Sequence, residues 1–536
     1  MTEEIVSYGV LSLIPAILAV VLAFWTKNVI ISLMASLFVG CLITAGWNPW
    51  NAMQVMFSDH LFVDMTGSSN AQTIIMMSFV GGFVALIEAT GGAKAFAAAI
   101  ANKVHRRSTA QTTAWLGGLA IFFSDSGNSL ILGPIFRPIF DRLRISRAKL
   151  AYILDSTSSP VCILVPITGW GVYIMGIIAT EFENLGIQTS DASAFVQAIP
   201  YQFYALLALV LVPLIALSKR DFGPMAKFET YALENGPTAA ELEADKSIVQ
   251  SENASKATAW EMIIPLLVMF VTIFVMFIGW GFPGQNIPGS KIRIALTSGY
   301  MLATIVLAIM VIVKKIMTFT EVVDTWVSGI KKMAGILAII IAAWGVGSVC
   351  TALGTSQFVV DCTIGFLSPA LVPALLFIIG AVISFATGTS WGTMAILLPL
   401  GINMAYGFGV SEAITIAAVL SGSLFGDHCA PISDTTVMSS MAGGCNHIDH
   451  VRTQIPYALL AAVSSFIAYL IVGVTQMAAG IAPPGGLADF LHGAAWVAPG
   501  GGGAPPCRWR WRFWWCCSCW LPSCSARKLR KEVEQL

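Results

Sequence analysis

The stretch AITIAAVLSGSLFGDHCAPISDTT, residues 413–436, decides how the rest of this sequence is read. Its first part is apolar and small-residue rich, as a membrane helix is. It then breaks on Gly426, Asp427, Pro431 and Asp434 instead of ending in a charged loop. Ionisable residues at membrane depth are costly and mark ion or substrate paths. Irregular backbone is tolerated there only where it is buried in protein or lines a cavity. The segment therefore offers two carboxylates, Asp427 and Asp434, beside the hydroxyls of Ser433, Thr435 and Thr436, at the break of a span.

The whole chain has the composition such a segment needs. Of 536 residues, 56% are hydrophobic and 11% charged, whereas a soluble protein carries roughly a quarter charged residues. A soluble enzyme and a disordered chain are excluded. Lys+Arg and Asp+Glu balance at 29 each, so no basic field exists to attract nucleic acid. The reading is a polytopic membrane protein whose first partner is the lipid bilayer.

A span takes about 20 apolar residues, and apolar runs fit near 8–25, 28–46, 71–89, 110–123, 150–180, 198–217, 260–282, 292–313, 333–353, 371–387, 411–426 and 455–477. The acidic start MTEE lacks the basic flank of a cleaved signal peptide. Basic residues mark the cytoplasmic ends: Lys103/Arg106/Arg107, Arg142/Arg144/Arg147/Lys149, Lys219/Arg220, Lys314/Lys315 and Lys331/Lys332. All fall inside if 110–140 enters the membrane and returns as a hairpin. Asp59, Asp64 and an acidic loop with Glu181, Glu183 and Asp191 are then outside. Residues 218–259, with seven acids and five bases, form a polar cytoplasmic linker between two halves.

The halves repeat an order of features. GGFVALIEATGG precedes FSDSGNS, a basic loop and LDSTSSP; AAWGVGSVCTALGT precedes FATGTSWGT, a polar turn and FGDHCAP. By the charge rule, 71–89 crosses outward to inward and 333–353 the reverse. Oppositely oriented halves with broken helices are the pattern of secondary transporters. The expected fold is an all-α polytopic membrane protein with about 11–13 transmembrane helices in two inverted repeats with broken helices or re-entrant hairpins. The expected division is N-terminal helices 1–70, first repeat 71–217, linker 218–259, connecting helices 260–332, second repeat 333–478 and tail 479–536.

Four polar breaks carry the chemistry. The first holds Asp125, Ser126 and Asn128, and the second Asp155 and its run of hydroxyls. The third holds Thr387, Thr389 and Trp391, and the fourth is the Asp427–Thr436 segment. Carboxylate, hydroxyl and freed carbonyl oxygens suit a small hard cation. Soft ligands are nearly absent, which argues against zinc or copper. Desolvation disfavours a charged carboxylate, so such a group holds either a proton or a metal cation. Any single hydroxyl can instead bond back to its own helix; four clusters at Gly or Pro breaks are harder to read that way. Glu88 is either proton-accessible or a water-facing helix end. Arg137 pairs with an intramembrane Asp, binds an anionic substrate, or anchors at the interface. His447-Ile448-Asp449-His450 has a metal-like look but reads as a solvated loop.

On GDHCAPISDTT (426–436), FSDSGNS (123–129) and LDSTSSPVCILVPITGWG (154–171), the sequence resembles the NhaC-type Na+/H+ antiporter family of the ion-transporter superfamily, over roughly residues 10–478. The resemblance implies re-entrant hairpins, elevator-type alternating access and transported Na+ and H+. No cofactor is expected, and no metal beyond the transported Na+. The family also includes organic-acid and amino-acid carriers. The expectation is thus a Na+/H+ exchanger in a bacterial cytoplasmic (inner) membrane, with a homodimer as candidate assembly. Asp427 is the first choice for the group at which proton and Na+ compete; Asp434, Asp125 and Asp155 are its partners. Ser433, Thr435, Ser126, Asn128, Thr387 and Thr389 complete the shell. The rival is a Na+- or H+-coupled carrier of a small organic acid or amino acid, contacted by Arg137, Asn128 and Trp391. A membrane-embedded enzyme would need a nucleophile–base pair or a His-rich metal cluster, and the six scattered His offer neither.

The tail is different. Five of the 11 Cys and five of the 16 Trp lie between Cys507 and Cys524, interrupted by Arg508, Arg510 and Arg512. Leu/Val/Ala codons such as CTGGTGCTGC, read one base late, give TGG-TGC-TGC. The expectation is that 499–525 is a frame-shifted final apolar helix, with a Cys/Trp metal or redox site as the alternative. Resequencing these codons checks it, and an intact frame rules the frame shift out.

Overall fold

The computed structural model describes residues 8–26, 28–101, 104–238, 241, 257–282, 287–355, 358 and 368–478. The Cys/Trp tail and Cys362 lie outside the described residues. These residues form helices and no β-strand, because in lipid a helix satisfies its backbone groups internally.

In chain order the helices are α1 (Ile14–Thr26), α2 (Val29–Thr44), α3 (Pro49–Thr66, with a π-helical stretch at Met56–Leu61), α4 (Ser68–Ala89) and α5 (Gly92–Ala101). The first repeat continues with α6 (Arg107–Ala120), α7 (Asp125–Arg142), α8 (Arg147–Ser156), α9 (Ser159–Cys162), α10 (Gly169–Leu185), α11 (Asp191–Ala198) and α12 (Phe203–Ser218). The middle holds α13 (Gly223–Asn235), α14 (Trp260–Gly279) and α15 (Gly289–Val313). The chain continues with α16 (Phe319–Ala352), α17 (Val372–Thr387), α18 (Ser390–Phe408), α19 (Glu412–Cys429), α20 (Asp434–Gly443) and α21 (His447–Ala478). Among the described residues, six helices are individually long and apolar enough to cross a membrane, and nine crossings result if three bent pairs count as one span each. The expected 11–13 spans also counted the limbs around the polar breaks. Those limbs are shortened or diluted by Asp, Ser, Gly and Arg, as in Asp125–Arg142 and the 17-residue Gly169–Leu185.

The predicted order of features appears as structure. In each half a hairpin with a polar tip (α6/α7; α17/α18) precedes a helix that breaks (α8–α9–α10; α19–α20) and packs against it. The second limbs then cross over: α7 packs on α20 of the other half, and α18 on α10. The crossings are close because glycines stand at them. A Cβ on Gly133 of α7 would lie 2.2 Å from the Ala442 carbonyl oxygen of α20, and one on Gly422 of α19 would lie 2.2 Å from the Phe377 carbonyl oxygen of α17.

Two expectations are corrected, and the linker shows a packing contact: its α13 docks against α8 and α21. Glu229 accepts from the Ser146 amide (2.8 Å) and hydroxyl (2.7 Å) and pairs with Arg107. Lys149 and Tyr457 both hold Asp221 nearby. Glu181 and Asp191 do not form an outside acidic loop: Glu181 is buried inside α10, and Asp191 is buried against Arg293 of α15. Lys331 and Lys332 do not end a helix but lie within the 34-residue α16, which continues past them.

Gly133→Val should lower the melting temperature in detergent, reflecting an overpacking cost of about 1–3 kcal/mol. An unchanged melting temperature would contradict the close α7–α20 crossing.

Candidate ion-binding site

The first-half tip is set by helix capping. Ser124 caps α7 by accepting from the Gly127 amide at 2.9 Å. Asp125 follows in the first turn, where the helix dipole favours a negative charge. Its Oδ1 accepts from the Ser126 amide (2.6 Å) and hydroxyl (3.1 Å), and its Oδ2 from the Trp170 indole (3.1 Å). Asn128 is fully buried and ties the hairpin to the helix break: its amide donates to the carbonyls of Gly118 (2.8 Å) and Thr157 (2.9 Å). The Asn128 carbonyl oxygen is buried with no partner among the described residues. Ser158 at the break donates to the Asp125 carbonyl at 2.7 Å.

The second half repeats the arrangement. Ser390 opens α18 and donates to Asp427 Oδ2 at 2.7 Å. Asp427 is 2% exposed, and its Oδ1 is buried without a hydrogen bond among the described residues. Ser433 caps α20 and shares a 3.0 Å contact with Thr435. Asp434 stands exposed in the first turn of α20, accepting from the Thr435 amide. Thr387 bonds back to the Ile383 carbonyl at 2.9 Å, as an ordinary helix hydroxyl does. Thr389 places its carbonyl under the Thr393 hydroxyl. Trp391 stacks at 4.7 Å on Trp170, and Tyr173 donates to its carbonyl at 2.8 Å.

Asp155 joins the halves. It lies at the end of α8, yet its hydrogen-bond donors all come from the second half: Gln454 (2.6 Å) and Thr436 (3.2 Å) on Oδ2, and Ser439 (3.3 Å) on Oδ1. His428 Nε2 and His450 Nε2 stand 3.8 and 3.9 Å from Oδ2. Gln454 fixes the tautomer of His450. Its amide nitrogen serves Asp155 and the His428 carbonyl, so its oxygen faces His450 Nε2 (2.8 Å) and needs a donor there. His450 Nε2 therefore carries a hydrogen. Its Nδ1 meets the Ser440 hydroxyl at 2.8 Å, and His428 Nδ1 meets the Tyr204 hydroxyl at 2.7 Å.

Sequence reasoning placed His450 in a solvated loop and did not reach Gln454 or Tyr204. His450 is instead buried in α21, which starts at His447 straight after a short turn ending in Asn446, whose side chain accepts from the Ile448 amide at 2.9 Å. The available signal was periodicity: His450, Gln454 and Tyr457 recur at helical spacing on one face.

The four predicted carboxylates form one electrostatic group. The charge of Asp434 acts on Asp427, and those of Asp125 and Asp155 act on Asp434. Among the described residues, no Lys or Arg forms an ion pair with any of them. Arg137 is buried elsewhere: its guanidinium donates to the carbonyls of Ala442 (2.6 Å) and Met441, at the C-terminal end of α20. Glu88 lies against the start of α7, where a Cβ on Gly127 would come within 2.2 Å of its Oε1. Its other side lines an open cleft of about 520 Å³ with Asp324, Ser328 and Lys332.

Residues 161–474 match the model of the Na+/H+ antiporter family. An uncharacterized protein of Haemophilus influenzae is 32% identical over 88% of this chain and 92% of its own length. The arginine/ornithine antiporter ArcD of Halobacterium salinarum is 31% identical over 26% of this chain and 27% of its own. Among solved structures, MtrF of Neisseria gonorrhoeae, described as one of a class of antimetabolite efflux pumps, superposes with a TM-score of 0.57 at 15% identity, covering 80% of this chain and 85% of that one. At that identity the likeness is one of fold.

Gln454→Leu leaves Asp155 Oδ2 and the His428 carbonyl short of a donor. It should cost about 1–3 kcal/mol of stability, measured by thermal unfolding in detergent; no loss would contradict the bridge between the halves.

Proposed function

This chain belongs to the Na+/H+ antiporter family, and from that premise we propose that it exchanges Na+ for H+ by alternating access across a bacterial cytoplasmic membrane. The observation that carries the reading is a group of four carboxylates at one hairpin tip and two helix breaks, with no Lys or Arg ion-paired to them among the described residues. Asp155 and Asp427 are buried while Asp125 and Asp434 are more open; acids gathered in this way repel one another, and the charge of the buried pair is favoured when a cation or protons are bound. Asp427 is the preferred point of competition. One of its oxygens is held by Ser390 and the other is buried and unpartnered, so the second is available to Na+ or to a proton. Ser433 and Thr435, which share a 3.0 Å contact at the start of α20, and the buried, unpartnered Asn128 oxygen of α7 are hard neutral donors of the kind Na+ takes. Because Asp155 belongs to one half and its donors to the other, a change in its charge alters the contact between the halves. That is the coupling alternating access needs.

Two features bear on cargo. Arg137, the candidate anchor for an organic anion, is engaged by main-chain carbonyls, which weighs against an organic acid. The Trp170–Trp391 pair beside Asp125 suits an organic ammonium, since aromatic faces attract cations. It supports a second reading, in which a cationic amino acid is exchanged.

In everted vesicles, Asp427→Asn should abolish Na+-dependent proton movement, a loss of at least tenfold; unchanged exchange removes Asp427 from the mechanism. Na+ should also raise the melting temperature of the purified protein, by about 2.7 kcal/mol of stabilisation at a hundredfold excess over Kd, and Asp427→Asn should cancel that rise. Stabilisation by arginine or ornithine with none by Na+ would select the second reading.

A further inference from the structure

The two crossed interfaces end differently, and the difference lies in one buried carboxylate. α7 and α18 are the equivalent second limbs of the two hairpins. Twelve residues beyond Asp125, α7 presents Arg137 to its crossing partner α20; thirteen beyond Ser390, α18 presents Asn403 to its partner α10. Arg137 meets main-chain carbonyls. Asn403 meets Glu181: its amide donates to Glu181 Oε2 at 2.8 Å and to the Pro399 carbonyl at 2.8 Å.

Glu181 is 1% exposed, and among the described residues that amide is its only hydrogen-bond donor and no Lys, Arg or His pairs with it. Its Oε1 lies against the backbone of α16, where a Cβ on Gly347 would stand 2.0 Å away. His60 of α3 is held by the Ser348 hydroxyl of α16 at 2.8 Å, next to Gly347, and forms no ion pair with Glu181 among the described residues. Asp64 approaches from α3 with a buried, unpartnered Oδ2; the Cys350 thiol of α16 lies nearby; and Glu183 on α10 acts on Asp64. One neutral amide does not offset the cost of burying an ionised carboxylate.

We propose that Glu181 is a proton-binding site of the carrier, separate from the four-carboxylate group and occupied by a proton in this conformation. It rests on the exchange reading given above. Glu181 lies eleven residues along α10 from Trp170, about 16 Å at 1.5 Å per residue, toward the end that the basic-residue rule places outside. Parting of α10 from α18 exposes the carboxyl to water; only its O–H bond breaks, and the proton passes to water. Re-formation of the interface takes a proton up again. Arg137 cannot play this part, since a guanidinium stays charged. The first crossing is thus fixed and the second is proton-sensitive.

The test uses purified full-length protein in liposomes, comparing wild type, Glu181→Gln and Glu181→Asp. Two transport readouts are made, Na+-driven proton movement and proton-independent exchange of labelled Na+ for Na+. Glu181→Gln should keep labelled Na+ exchange within about twofold and lose proton movement at least tenfold, with Glu181→Asp restoring part of it. A Glu181→Gln variant that moves protons as wild type does overturns the inference, as does one that loses both activities while eluting as a monodisperse species. Infrared difference spectra between acidic and alkaline buffer give a readout independent of cargo: wild type should show a protonated-carboxyl band that Glu181→Gln lacks, and an unchanged band overturns the assignment. Wild type that moves no protons with Na+ overturns the exchange reading instead, while the infrared band still decides Glu181.

Discussion

The cost of holding a carboxylate away from water without a fixed counter-charge shapes this protein. Lysine and arginine are present and used, but elsewhere. Arg107 and Lys149 hold the linker residues Glu229 and Asp221, Arg293 holds Asp191, and Arg137 caps the end of α20. The four acids at the breaks are left with hydroxyls, amides, an indole and two imidazoles. Such donors steady a carboxylate without neutralising it.

The fold serves that condition by breaking helices where the acids stand. A continuous helix uses its own backbone groups, whereas a broken one frees amides and carbonyls at membrane depth. The capping residues Ser124 and Ser433 start α7 and α20 so that Asp125 and Asp434 each occupy a first turn. The close glycine crossings at Gly133 and Gly422 bring hairpins and broken helices into backbone contact. Asp155 is consequently read by the other half, and a local change of charge becomes a change at the interface between halves. The linker supports α8, with Glu229 of α13 on Ser146 and Asp221, just before α13, on Lys149.

Much of this was legible in the sequence because it is local. An apolar run interrupted by Asp, Ser, Gly and Pro announces a broken helix, and the order FSDSGNS, LDSTSSP, FATGTSWGT, GDHCAP announces two related halves. Misreadings arose where side-chain environment depends on residues far away. Glu181 stands near other acids in sequence and so read as loop; its burial depends on Asn403, 222 positions away. His450 read as solvated because its neighbours are polar, whereas the partners that bury it are Ser440, Gln454 and Asp155.

The sequence by itself determined the solvent, the helices, the breaks and the family, since composition, hydropathy runs and motif spacing are properties of short segments. The tertiary structure decided which carboxylates share one field, that Asp155 is served from the other half, and that Arg137 is engaged by carbonyls while Glu181 has only an amide. The reason is that desolvation and pairing are set by what surrounds a group in three dimensions, and two residues on crossing helices carry no local sign that they meet.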